Sequence, residues 1–216
     1  MTTTSTLTNL RPVGSPDLQA GRPRTVYRAN TEPVPPTAYP QGLALVVDLR
    51  RGDEVARVPH PLRETPGYRQ VPMFDPSVPE SGAAAVTLED QYTDWAERHA
   101  AGIADALRAV AGADGDVLVC CSAGKDRTGI VAALLAWHWG ASIPAVAEDY
   151  AASAAGLVER FAAERAASDD PEATAVAQRC VPEIMRTVLE RVEARWGSVD
   201  AYLRWLGLSE AEIAAL

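Results

Sequence analysis

A thiol and a guanidinium stand six positions apart in Cys121-Ser122-Ala123-Gly124-Lys125-Asp126-Arg127-Thr128-Gly129, with a glycine between them and the chain's one lysine in the same run. Val117-Leu118-Val119-Cys120 leads in as a short apolar strand, and Ile130-Val131-Ala132-Ala133-Leu134-Leu135 leads out as a helix. A turn this short between strand and helix brings its backbone N–H groups inward, and the helix start adds unpaired donors and the positive end of its dipole. Concave donor sets of this kind bind tetrahedral oxyanions. The chemistry that suits these residues is capture of a phosphoryl group by sulfur.

Each position has a task in that chemistry. Cys121 lies at the floor of the turn, where the donors and Arg127 favour thiolate over thiol, below the free value of about 8.5. Arg127 offers a planar fork that grips two phosphate oxygens and follows them into the transition state, which a lysine does less well. Gly124 lets the backbone approach the anion without a Cβ in the way. Ser122, Ala123, Gly124 and Lys125 line the substrate phosphate, and the Thr128 hydroxyl can donate to the sulfur as it leaves. The competing reading of Cys121 is a small buried hydrophobe at a strand end. Core packing, however, has no need of the Gly-Lys-Asp-Arg-Thr-Gly run that follows it.

The segment Cys121–Gly129 resembles the signature loop of the cysteine-dependent tyrosine phosphatase superfamily. Its Ala-Gly-Lys-Asp-Arg form resembles the atypical bacterial tyrosine and lipid phosphatase branch of the mycobacterial tyrosine phosphatase B type. Other stretches agree in order: Asn9-Leu10-Arg11-Pro12-Val13-Gly14, Val26-Tyr27-Arg28, Val46-Val47-Asp48-Leu49-Arg50, and Val199-Asp200-Ala201-Tyr202-Leu203 through Leu206-Gly207-Leu208. The resemblance thus runs through most of the chain. It implies a protein-tyrosine-phosphatase-type hydrolase without a metal or cofactor. One departure stands out: Cys120 occupies the position where the superfamily has histidine, which bears on rate and on the thiolate more than on reaction type.

The leaving oxygen needs a proton, and a positioned carboxylic acid adds about 10²–10⁴-fold. The resemblance implies Asp126 as that acid. Asp75, in Val71-Pro72-Met73-Phe74-Asp75-Pro76, sits on a loop between strand and helix and is the second candidate, against the simpler reading of a turn aspartate before proline. Asp48, at the end of the neighbouring strand, can instead orient Arg127 or the loop backbone. His60, His99 and His138 show no metal-ligand spacing and read as packing or surface residues. Cys180, read as a buried residue on a helix, and Cys120 are candidates to resolve an oxidised Cys121. A bond between the adjacent Cys120 and Cys121 strains disulfide geometry.

Composition narrows the classes. A 216-residue chain can bury a full core within one domain. A net charge of −9 argues against nucleic acid as partner, so cations must gather locally around an anion site. Lys125 and Arg127 supply two, and Arg50 and Arg51 add more if the Asp48 strand ends beside the loop; otherwise they are a solvated strand end. No stretch reaches the roughly 20 apolar residues of a membrane span, and Met1-Thr2-Thr3-Thr4-Ser5 lacks a basic head and apolar run. We therefore expect no transmembrane segment or secretory signal and a cytoplasmic location, with which three cysteines outside a disulfide framework agree.

The elements that must position these groups read as α/β. Residues 1–24 form a loose arm rich in Thr, Pro and Gly, with Asn9–Gly14 as a docking element, and residues 25–216 a single domain. Val26–Arg28, Leu43–Val47, the weaker Tyr68–Pro72, and Val117–Cys120 are the strand candidates. A helix from the Thr87 and Asp90 capping signal to Val110 precedes the last of these. The order predicts a central, mostly parallel sheet flanked by helices, with ligands at the carboxyl ends of strands. Helices over 143–155, 156–168, 172–196, 198–206 and 209–216 complete the chain. In the branch it resembles, helices after the signature helix fold over the pocket as a lid; Ala151–Ala167 is the candidate, against plain packing on the core.

The expected function is a phosphomonoesterase with a cysteinyl-phosphate intermediate, acting on phosphotyrosine protein by resemblance. Lys125 opens phosphoserine, phosphothreonine or phosphoinositide as alternatives. From another class, the rival is a phosphate-binding module without turnover, motivated by Cys120; a redox or sulfur-transfer role for Cys120 and Cys121 leaves Lys125 and Arg127 unexplained.

Overall fold

The computed structural model describes residues 7–216. Strands β1 (Arg11–Pro12), β2 (Val26–Ala29), β3 (Leu45–Asp48), β4 (Tyr68–Gln70) and β5 (Val117–Cys120) form one sheet in the order β1-β2-β5-β3-β4. β5 is central and parallel to β2 and β3, β4 is parallel to β3, and β1 closes one edge antiparallel to β2. β3 and β5 are buried at every position. Their near-continuous apolar character is what a parallel strand covered on both faces requires. In register, Cys120 lies between Ala29 and Asp48. The chain therefore leaves three parallel strands at one level, and Asn30, Leu49 and Cys121 crowd the same end of the sheet, where ligands of such sheets collect.

The helices are α1 (Pro16–Gln19), α2 (Gly52–Arg57), α3 (Leu88–Arg98), α4 (Ala100–Ala111), α5 (Arg127–His138), α6 (Ile143–Ala151), α7 (Ser153–Gly156), α8 (Val158–Ala166), α9 (Pro171–Ala177), α10 (Pro182–Trp196), α11 (Val199–Trp205) and α12 (Glu210–Ala215). α4 and α5 pack on one face of the sheet, with Ile103, Leu107, Val110, Val131 and Leu135 joining Val47 and Val119 in the main core. A smaller cluster closes the other face. There Ala29, Val46, Leu118 and Cys120 are covered by Leu7, Val34, Tyr39 and Leu62, residues of loops rather than long helices. Among the described residues no helix is long and apolar enough to cross a membrane.

Several expectations change. The stretch read as a loose arm is part of the fold from Leu7 onward: Val13 is fully buried, β1 pairs with β2, and Arg11 bonds Asp149 of α6. The expected 87–110 helix is broken at His99, whose ring is turned to the 75–80 loop by contacts with the Asp75 amide (3.4 Å) and the Glu80 carbonyl (2.9 Å). Tertiary bonds here override a helical sequence pattern. The 172–196 helix is split, with Pro182 starting α10, so Cys180 lies in the α9–α10 connection and not on a helix; it is buried, as expected. α2 was not foreseen. It matters most for the site.

Candidate active site

The loop from Cys121 to Asp126 is held from outside by its carbonyl groups. Ser122 O accepts from Thr31 N (3.0 Å) and from Arg160 Nη1 (2.9 Å), Ala123 O from Asn9 Nδ2 (3.0 Å), and Gly124 O from Arg28 Nη2 (3.0 Å). In a trans peptide the N–H points opposite to the C=O of the same plane. Clamping these three carbonyls outward therefore turns the amides of Ala123, Gly124 and Lys125 to the other side. Among the described residues those amides donate to no protein acceptor. Unpaired backbone donors on one side of a tight turn, ending at the start of α5, make an oxyanion cradle.

Gly124 makes the turn possible. Its φ is +68°, and a Cβ there would stand 2.4 Å from the carbonyl carbon and oxygen of Ala29. No side chain fits against backbone at that distance. Arg28, which holds Gly124 O, is in turn paired with Asp149 (2.9 Å), and Asp149 also takes Arg11 (3.2 Å). The element Asn9–Arg11 is thus tied to the loop directly and through α6.

Arg127 is gripped by a residue the sequence reading did not single out. Its Nη1 and Nη2 donate to Glu54 Oε2 (2.6 Å) and Oε1 (2.8 Å), and Glu54 Oε2 also accepts the Arg51 amide (3.0 Å) at the start of α2. Burial raises the Glu54 carboxyl's pKa, but the hydrogen bonds and charge of Arg127, with Arg51, outweigh it and hold it at about 2. Burial likewise opposes the charged Arg127, and Glu54, Cys121 and Asp126 more than offset it, so the guanidinium is held still more firmly protonated. Glu54 occupies the Nη end of the fork. Nε makes no protein bond among the described residues, which leaves that edge for an anion.

Asp48 does not do this work, contrary to expectation. It is fully buried and takes both Arg50 (2.7 Å) and the Tyr68 hydroxyl (2.9 Å). Arg50 is accordingly neither a free cation nor a solvated strand end. Arg51, its side chain 38% exposed, pairs with Glu80 (3.1 Å). Asp75 is also not brought to the loop: its Oδ1 accepts from the amide and hydroxyl of Ser77, closing its own turn, and these bonds lower its pKa. Asp126 remains beside Arg127. Its Oδ1 accepts the Tyr92 hydroxyl and lies 3.1 Å from Lys125 Nζ.

Lys125 also departs from the reading as a substrate-facing cation. It is 2% exposed, and its Nζ donates to the carbonyls of Ala177 (2.8 Å) and Arg179 (3.1 Å), with the Phe161 ring centroid 5.7 Å away. Ser122 Oγ accepts from Arg160 (2.8 Å) of α8. Helices α8 and α9 therefore lie on the loop and are bonded to it. Thr128 Oγ1 is buried with no hydrogen-bond partner, so the expected donation to the sulfur is not made in this arrangement. Cys121 is 2% exposed. A cavity of about 240 Å³ is walled by Asp126 and Arg127 together with Phe74, Trp95, Glu54, Glu80 and Arg51, and Cys121 is not among the residues that line it.

Cys120 faces away from this site. It packs in the smaller cluster on the other face of the sheet, its Sγ directed at Val47 O (3.7 Å), and burial followed by the charge of Asp48 pushes its thiol well above the ordinary range. Cys180 Sγ donates to Tyr150 O (3.4 Å), and burial pushes it up as well. Both are protonated thiols in packing roles.

The profile of the Tyrosine phosphatase family matches residues 3–216. The chain is also similar to a tyrosine-protein phosphatase of Nostoc commune, 27% identical over 192 residues, covering 81% of this chain and 65% of the relative. It thus spans about two thirds of that relative's length. With a match over nearly its whole length, this chain belongs to the tyrosine phosphatase family.

Proposed function

We propose that this chain is a phosphomonoesterase that works through a cysteinyl-phosphate intermediate, with phosphotyrosine in protein as its substrate. The observation that carries the reading is the outward clamping of the Ser122, Ala123 and Gly124 carbonyls, which frees three consecutive amides for an anion next to Cys121 and Arg127. In the first step Cys121 Sγ attacks phosphorus as the ester oxygen leaves with a proton from Asp126. In the second, water attacks phosphorus, Asp126 takes its proton, and the thiolate departs with release of inorganic phosphate. Loop amides and Arg127 stabilise the charge on the equatorial oxygens in both steps, which is the main work in phosphoryl transfer.

Two features favour an aryl leaving group. Phe74 and Trp95, packed edge to face at 4.8 Å, wall the cavity beside Arg127. Lys125, the cation that would suit an inositol headgroup, is spent on two backbone carbonyls. We therefore place phosphotyrosine ahead of phosphoinositides.

The test is hydrolysis of a phosphotyrosine peptide, an alkyl phosphate and a phosphoinositide by the wild type and Cys121→Ser. We expect turnover of the peptide in preference to the lipid, abolished by Cys121→Ser with vanadate binding retained. Vanadate binding without wild-type turnover would instead establish a phosphate-binding module, and preferential lipid hydrolysis would overturn the substrate assignment.

A further inference from the structure

The candidate acid is held by a side chain 34 positions away, on an element that no part of the signature loop announces. Asp126 Oδ1 accepts the Tyr92 hydroxyl and faces Lys125 Nζ at 3.1 Å, whereas Oδ2 makes no protein bond among the described residues. A protonated carboxyl carries its proton on one oxygen and accepts best at the other. Two donors converging on Oδ1 make it the accepting oxygen and leave the proton to Oδ2. Asp126 lines the cavity next to Arg127, with its side chain 30% exposed. We propose that Tyr92 is a positioning residue for the acid, fixing the Asp126 carboxyl so that Oδ2 delivers the proton to the leaving oxygen. This rests on the reading of Asp126 as the general acid.

Tyr92 is built to hold a fixed direction. It is fully buried on α3, stacked on Trp95 at 4.9 Å with an interplanar angle of 24°, and meets Tyr150 edge-on at 6.2 Å and 84°. Its hydroxyl lies 3.2 Å from the Tyr150 hydroxyl, so rotation about the ring axis does not free the donor from its neighbours. Tyr150 reaches this place because Gly129 presents no side chain: a Cβ there would stand 3.1 Å from the Tyr150 ring. Gly129, the last residue of the signature, thereby serves the acid as well as the start of α5. Burial and the Asp126 charge push the Tyr92 phenol well above the ordinary range. It stays a donor wherever the enzyme works.

Lys125 shares Oδ1 but cannot set the angle alone, since its ammonium is also directed at the Ala177 and Arg179 carbonyls. Tyr92 supplies the direction and Lys125 the charge. Removing only the Tyr92 oxygen should therefore leave the loop, the phosphate cradle and the Trp95 stack in place while loosening the proton donor.

The experiment compares kcat/KM of wild type, Tyr92→Phe, Asp126→Asn and the double variant over aryl and alkyl phosphates of increasing leaving-group basicity. A positioned acid adds about 10²–10⁴-fold, and for Tyr92→Phe we expect a loss of about tenfold on alkyl phosphates and under about threefold on 4-nitrophenyl phosphate. Vanadate inhibition should stay unchanged, and the Asp126→Asn background should show no further loss from Tyr92→Phe. If Asp126→Asn is selective for poor leaving groups while Tyr92→Phe lowers all substrates alike, or none, the positioning role is overturned and the acid assignment stands. Equal losses on every substrate for Asp126→Asn would remove the acid assignment and the proposal with it. Should Tyr92→Phe fail to fold, 3,5-difluorotyrosine at position 92 keeps the shape and strengthens the donor; an unchanged leaving-group slope then overturns the proposal.

Discussion

Lys125 Nζ lies 2.8 Å from the carbonyl oxygen of Ala177, so a residue of the phosphate loop closes the end of helix α9. A second carbonyl, from Arg179, completes the cage at 3.1 Å. The loop and its helical cover are thereby one bonded unit, with Arg160 to Ser122 as the other tie.

Because the chain has one lysine, side-chain amine chemistry reads that tie directly. We expect peptide-mapped acetylation at Lys125 to be at least about tenfold slower than in the unfolded chain, since a 2% exposed ammonium reacts only through local opening. Lys125→Met leaves two carbonyls without their donor, at a cost of about 1–3 kcal/mol for each that stays buried. Limited proteolysis near Asp170 should then accelerate several-fold, and bound phosphate should slow it in the wild type. Labelling of the native protein at the unfolded rate would show that the cage does not persist in solution.

Glu54 and Arg127 give the second prediction. Glu54→Gln keeps the shape but removes the charge that orients the guanidinium, and a small misplacement of such a group costs on the order of 10²-fold. We expect kcat/KM to fall accordingly, with weaker vanadate binding; tighter binding would mean that Glu54 competes with the anion instead of steering its partner. The pair also carries a pH signature. The carboxyl pKa is depressed from 4.5 to about 2, so its stabilisation is fully present above about pH 4.5 and lost as pH falls towards 2. Urea melts of wild type and Glu54→Gln should converge across that window and differ above it.

The strand, loop and helix around Cys121 were legible because their information is local: an apolar run, a Cys-to-Arg spacing and a glycine all fall within 20 residues. Glu54 lies 73 positions from its partner on a six-residue helix. The one available signal was a glutamate three residues after Arg51, where it can cap a helix. Tyr92 reads from sequence as one more aromatic on a core-facing helix, since nothing local distinguishes a hydroxyl that meets Asp126 from one that meets solvent. Lys125 was legible as important but not in its direction. Its partners are backbone carbonyls, which no residue type announces, and β1 escaped for the same reason, as a two-residue strand defined wholly by its pairing.

The third prediction concerns oxidation. Cys120 belongs to the cluster with Val46 and Leu118, and Cys121 to the one with Val119 and Val131, so the adjacent thiols face opposite sides of the sheet. Mild peroxide should modify Cys121 without forming a Cys120–Cys121 bond, since neighbouring strand-end residues cannot reach disulfide geometry without moving the backbone. Peptide mapping that recovers such a bond from folded protein would contradict the placement of Cys120.

Gly124 and Gly129 make a paired test of how the loop is built. At Gly124 the backbone is left-handed, and an added Cβ meets the Ala29 carbonyl at 2.4 Å and the Asn30 amide nitrogen at 2.6 Å, neither of which can swing aside. Gly124→Ala must therefore lift the loop off the end of β2 and break the Arg28 bond to Gly124 O. At Gly129 the added Cβ presses on the Tyr150 ring, at 3.1 and 3.3 Å, while Arg28 Nη2 stays at an ordinary contact of 3.6 Å, and a side chain can yield by a few tenths of an ångström. We expect Gly124→Ala to abolish vanadate binding and turnover together and to cost several degrees in Tm. Gly129→Ala should keep vanadate binding and lose activity selectively on poor leaving groups, because what moves is the tyrosine pair behind the acid. Calorimetry of vanadate binding alongside the leaving-group series separates the two. If both variants lost anion binding equally, the cradle would depend on the start of α5 rather than on carbonyls clamped at the end of β2.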